Sequence, residues 1–209
     1  MNGTRQDETR SILLKYLPEP SIDKVIHTLT EHKVQLKITR QRIGKLGDYR
    51  FDKLRNCHRI SMNYNLEPYH FLITLLHEFA HMLVQERYSR RPKPHGPEWN
   101  QAFCEIAAPY LSDGVFPDSL AQAFARHLRK GVASTSSDPV LAAALAAAGG
   151  TMAPLTLASL NPGTQFRFRG KVFKKMERKR TRYLCFCLSD TRVYLISQWA
   201  PIEAILPEC

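Results

Sequence analysis

The chain predicts an α+β protein: helices packed on a small β-sheet, followed by a separate, small antiparallel β-domain. Three observations carry this expectation. Over residues 1–131, apolar residues recur at helical spacing in some stretches and alternate with polar residues in others. Residues 132–163 then turn small and almost uncharged, with Asp138 the single exception. Residues 164–209 are aromatic, β-rich runs separated by turn or charged residues.

The elements follow in order. ETRSILLKYL places Ile12, Leu13, Tyr16 and Leu17 on one helical face before Pro18. Ser21 is suited to cap SIDKVIHTLTEH, in which Ile22, Val25, Ile26 and Leu29 share a face. VQLKIT (34–39) alternates as a strand does, RIGKLGDYRF reads as a glycine turn leading into a second strand, and HRISMNYN (58–65) as a third. A long helix is expected over about 67–87, with Pro68 in its first turn and Asn65 as its cap. After the loop 88–96, Pro97 opens a helix whose apolar stripe is Trp99, Phe103, Ile106 and Tyr110. A shorter helix runs from an Asp118 cap to Gly131. Residues 132–163 read as a linker holding one alanine-rich helix from Pro139 to Gly149. Residues 164–209 form the basic β-domain, with ten Lys/Arg against four Asp/Glu.

Composition bounds the class. The 209 residues can bury a sizeable core, and a net charge of +11 speaks of a polyanionic partner, nucleic acid by default. The N-terminus MNGTRQDETR lacks the apolar core of a secretory signal, and the longest apolar stretch is too short to span a bilayer. The expectation is a cytoplasmic protein, nucleoid-associated in a bacterium, with no membrane partner. Five cysteines (Cys57, Cys104, Cys185, Cys187, Cys209) without paired spacing argue against a disulfide framework.

Chemistry concentrates in HEFAHMLVQERYSRRPKPHGPEW, residues 77–99. His77 and His81 stand one helical turn apart and can share a cation. Zinc takes imidazole nitrogen readily, and a catalytic zinc keeps three protein ligands and one open position. Glu78 follows the first ligand, where its carboxylate can take the proton of a water that the metal acidifies toward a pKa of roughly 7. The longer H-E-x-x-H-x-x-G-x-x-H pattern is absent, which excludes that class. The third ligand is open among His95, Glu98 and Glu105, with His95 favoured because Gly96 and Pro97 hold it at a helix start. His58 and His70 read as hydrogen-bonded or surface histidines.

HRISMN, then LITLLHEFAH, a loop and HGPEW together resemble the SprT-like metalloprotease family, whose bacterial members are related to the eukaryotic protease Spartan. The likeness runs from about residue 8 to 111, and the basic GKLGDYR stretch also fits. The resemblance implies a zincin-like metalloprotease domain over 1–131. It implies one catalytic Zn2+ held by His77, His81 and His95, with Glu78 as the base and Trp99 walling the site. It further implies proteolysis of proteins bound or crosslinked to DNA. Many members follow this domain with a zinc ribbon built from paired CxxC motifs; here only Cys185-x-Cys187 stands, so the β-domain is expected to hold the ribbon's place without its metal.

DNA, single-stranded or structured, is thus the expected partner alongside DNA-bound protein substrates. The residues suited to contact it are Arg87, Arg90, Arg91 and Lys93 near the histidines, with Lys174, Lys175, Arg178, Lys179, Arg180 and Arg182 in the β-domain. Interleaved aromatics (Phe166, Phe168, Phe173, Tyr183, Phe186, Tyr194) would serve either as base-stacking platforms or as a β core. The alternative function is a non-catalytic nucleic-acid-binding protein with a structural zinc. Tyr64, Arg90 and Arg91 are the candidates for stabilising an oxyanion.

Overall fold

The computed structural model describes residues 2–42, 44–88, 92–131, 138–151 and 155–205. It divides into two compact units, Met1–Ala133 and Ser134–Cys209.

The first unit holds α1 (Asn2–Leu13), α2 (Ile22–Glu31), β1 (Val34–Thr39), β2 (Gly47–Asp52), β3 (Cys57–Asn63), α3 (Pro68–Arg87), α4 (Pro97–Ser112) and α5 (Asp118–Arg129). The sheet order is β1-β3-β2. Central β3 runs parallel to β1, with Leu36 opposite Ile60, and antiparallel to β2, with Tyr49 opposite Ile60. Helix α3 packs against β2 and β3 on one side and α4 on the other, while α2 covers β1.

Helix α3 explains this arrangement. Phe71, Leu72, Leu75, Leu76, Phe79, Ala80 and Met82 are fully buried, so apolar side chains wrap most of its circumference. A helix hydrophobic on nearly all sides has to run through the interior. Burying each of the larger side chains contributes roughly 2 kcal/mol, which more than covers placing a few polar groups there. Those polar groups are Thr74, whose hydroxyl donates to the His70 carbonyl at 2.8 Å, and Glu78, while His77 and His81 are half-buried.

Two expected caps differ. Glu67, not Asn65, occupies the position before α3 and makes no side-chain cap bond, so the helix starts through the fixed φ of Pro68. Asp118 is the first residue of α5 and Pro117 precedes it; the carboxylate still sits favourably in the first turn. Strand β3 stops at Asn63, short of the expected 65, and the Asn63 side chain is engaged. It accepts from Arg42 Nε at 2.9 Å and donates to the Lys45 carbonyl at 3.0 Å, pinning the segment that leads into β2.

The second unit contains α6 (Pro139–Ala148), β4 (Gln165–Phe168), β5 (Lys171–Lys179), β6 (Arg182–Cys187), β7 (Val193–Ser197) and β8 (Glu203–Ala204). Asp138 caps α6 by accepting from the Val140 and Leu141 amides. The sheet is antiparallel, in the order β7-β6-β5-β4-β8. The first of the three expected runs is a hairpin rather than one strand. Arg169 and Gly170 carry φ of 50° and 78°, and two consecutive positive φ values make the primed turn whose twist suits a two-residue connection. The core comprises Leu157, Phe166, Phe173, Cys185, Cys187, Ile196, Ala200 and Ile202. Leu157 belongs to the stretch read as linker. Cys185 and Cys187 lie in this core as free thiols, as do Cys57 and Cys104 elsewhere; Cys209 lies outside the described residues. Among the described residues no helix is long and apolar enough to cross a membrane.

Candidate metal centre

Helix α3 carries His77 and His81 on one face, one turn apart, beside the start of α4. The connection from α3 returns His95 to them. His95 takes the left-handed backbone conformation, φ 58°, just before Gly96 and Pro97 start α4. A non-glycine residue there costs free energy, and such strain persists where surrounding structure imposes it, often at functional sites.

The three imidazoles converge through their Nε2 atoms. The separations are 3.2 Å for His77–His81, 3.1 Å for His81–His95 and 3.2 Å for His77–His95. Three such nitrogens cannot all pair with one another, since each ring presents only its Nε2, which in a neutral imidazole is either a donor or an acceptor. Around a tetrahedral zinc at about 2.1 Å, ligand nitrogens stand roughly 3.4 Å apart, so the observed triangle fits such an ion. It is a group able to hold a metal, and it includes His95 but neither Glu98 nor Glu105. Glu105 is engaged elsewhere, accepting from Arg87 and from Gln101.

Trp99 backs all three rings, with centroids 4.6, 5.5 and 4.8 Å from His77, His81 and His95. It is buried, packs against Phe103 with ring centroids 4.9 Å apart, and so fixes the rings from the α4 side. The apolar stripe of α4 and the wall of the site are therefore one feature.

Glu78 is buried under β2, at 6% exposure. Burial pushes its carboxyl up to about 7, the neighbouring charge of Asp48 adds to this, and Arg42, Lys45 and the Tyr49 amide donating to it pull the other way. Asp48 is itself held below its ordinary value: burial would raise it, but hydrogen bonds from Lys45 and Arg50 prevail. Toward α3, the Tyr49 hydroxyl bonds His58 Nδ1 at 2.9 Å, His58 Nε2 meets Glu86 of that helix at 3.2 Å, and Glu86 also meets His32 at 3.0 Å. His58 is thus a structural histidine. These β2 neighbours of Glu78 escaped sequence reasoning, because nothing in the spacing of GKLGDYR shows which face of α3 it will cover. Tyr88, which lines the same cleft, was also missed.

The expected nucleic-acid contacts fare unevenly. Lys175 is corrected: it is 2% exposed, donates to the Leu157 and Leu160 carbonyls and sits 3.7 Å over the Tyr183 ring, so it cannot reach a phosphate. Phe166 and Phe173 are buried and stack on each other, and Phe168 and Tyr183 pack against the same core. Tyr194 is edge-on to Phe173 and donates to Asp190. Only Phe186 lies on the opposite face, half-buried in register with Lys174 and Val193. The aromatics are a β core before they are a stacking platform. Lys174, Arg178, Lys179, Arg180 and Arg182 are exposed. Arg87 is paired with Glu105 and Lys93 lines the histidine cleft. Arg90 and Arg91 lie outside the described residues. Tyr64 is exposed and does not line the cleft.

No curated protein and no solved structure matches the chain. Residues 17–118 match the model of the SprT-like family, so the stretch that carries β1–β3, α3 and the three converging histidines is an SprT-like domain, of a family generally related to metalloproteases.

Proposed function

We propose that the chain is a zinc-dependent endopeptidase of zincin-like fold that cleaves proteins bound or crosslinked to DNA. The observation that carries this reading is the triangle of imidazole Nε2 atoms at 3.1–3.2 Å, with the Glu78 carboxylate on the same helix. His77, His81 and His95 would hold the ion. Zinc, when bound, supplies a Lewis acid that acidifies water and polarises a peptide carbonyl. Glu78 accepts a proton from the attacking water and returns it to the leaving amine, without a covalent intermediate. Trp99 keeps the imidazoles in register and excludes solvent behind them. The DNA part of the reading is supported by the net charge of +11 and the exposed cations of β5 and β6.

The test compares wild type and Glu78→Gln on a DNA-bound protein, with and without zinc and single-stranded oligonucleotide. Glu78→Gln should lower cleavage at least about 100-fold while zinc and DNA binding persist. Wild-type cleavage by that variant would rule out Glu78 as base. Absence of proteolysis under every condition, together with unfolding on chelation, would instead favour the structural-zinc reading.

A further inference from the structure

Glu78 is an ionisable side chain in the interior, and one point on the chain decides whether it fits. Gly47, the first residue of β2, lies against it so closely that a Cβ there would fall 2.5 Å from Glu78 Oε1, 2.9 Å from Cγ and 3.0 Å from Cδ. Three atoms of the carboxylate arm are involved, so turning the carboxylate tip would not relieve the clash. The whole side chain would have to move. Gly47 is outside the set of residues with positive φ, so the backbone itself does not demand glycine; space does.

Moving the side chain would sacrifice its contacts. Two residues along the same strand, the Tyr49 amide donates to the Glu78 carboxylate. The strand cannot yield outward either: Gly47 pairs with Met62, Asp48 with Ser61 and Tyr49 with Ile60 of β3. On the same face of β2 as Gly47, the Tyr49 hydroxyl is tied through His58 to Glu86, a second residue of α3. Helix α3 therefore holds β2 at Glu86, and β2 in turn holds Glu78.

We propose that Gly47 is a positioning residue for the general base: its missing side chain lets β2 close over Glu78 and set its carboxylate with the Tyr49 amide. The proposal rests on reading Glu78 as the base. Because a small displacement of a catalytic group is costly, Gly47→Ala should lower kcat at least about tenfold, with KM and zinc affinity each within about threefold of wild type.

A second measurement needs neither metal nor activity. In metal-free protein, Gly47→Ala should lower the melting temperature markedly, and much less in a Glu78→Ala background, where the space is free; such non-additivity marks direct contact. Should Gly47→Ala fail to fold while the double variant folds, the contact is equally supported. An unchanged kcat, an equal fall of melting temperature in both backgrounds, or failure of both variants to fold would overturn the assignment. These outcomes are separate from those of the function itself. Full activity of Glu78→Gln would remove the base without touching the thermal cycle, whereas an additive cycle would remove Gly47 and leave the base intact.

Discussion

Glu78 shows how a functional residue stands out from a structural one. Much of α3 around it is apolar and buried, and a carboxylate there is disfavoured when ionised. Its folded value of about 7, against an ordinary 4.5, means the folded protein binds this proton more tightly than the unfolded chain. The sign follows: the contribution to stability is fully present below about pH 4.5 and is lost as pH rises through about 7. Metal-free wild type should therefore lose stability between pH 5 and pH 8, by up to about 3 kcal/mol from this group. Glu78→Gln does not titrate and should lose distinctly less. Thermal melts of both proteins in chelator at the two pH values check this; parallel losses would show that other groups dominate the window. The residue offered as catalytic should thus cost the apoprotein stability at neutral pH.

At the scale of elements, legibility tracked how local the determining force was. Helix α3 could be read because its apolar density, Pro68 and the two histidines all lie within one continuous stretch. The return of His95 could be proposed from Gly96 and Pro97, which mark a helix start, but its left-handed backbone could not. Strand β2 was visible as a strand, while its place over Glu78 was not, since that depends on the order β1-β3-β2. The hairpin at Arg169–Gly170 was hidden inside a run of uniformly strand-forming residues, where one glycine carried the signal. In the β-domain, alternation placed Cys185 and Cys187 on one face but could not say that the face was the core. The tether from β2 through His58 to α3 makes a prediction at this scale. Tyr49→Phe keeps the ring against His58 but leaves the buried His58 Nδ1 without that hydroxyl. It should destabilise the protein by about 1–2 kcal/mol in urea unfolding. No loss would mean the Tyr49–His58–Glu86 chain does not hold the strand.

At the scale of the whole molecule, the charge of +11 matters by where it is exposed, and burial sorts the cations. Lys175 is inside the β-domain, its ammonium spent on the Leu157 and Leu160 carbonyls. Its neighbours Lys174, Arg178, Lys179, Arg180 and Arg182 are exposed, although Lys179 also meets Glu177 and Arg178 donates to the Arg180 carbonyl. Neutralising a phosphate releases its counterion, and on single strands each phosphate left unneutralised should flatten the slope of log K against log salt by roughly 0.7. Changing the five exposed cations to glutamine should therefore weaken binding of a single-stranded oligonucleotide and flatten its salt dependence, with zinc affinity unchanged. Lys175→Met should do the opposite: it strands two buried carbonyls and lowers stability by about 1–3 kcal/mol, while the folded fraction keeps the wild-type slope. Salt titrations at fixed oligonucleotide length measure both. A slope unmoved by the five substitutions would place any nucleic-acid contact away from β5 and β6, and a slope altered by Lys175→Met alone would contradict the buried position of that lysine.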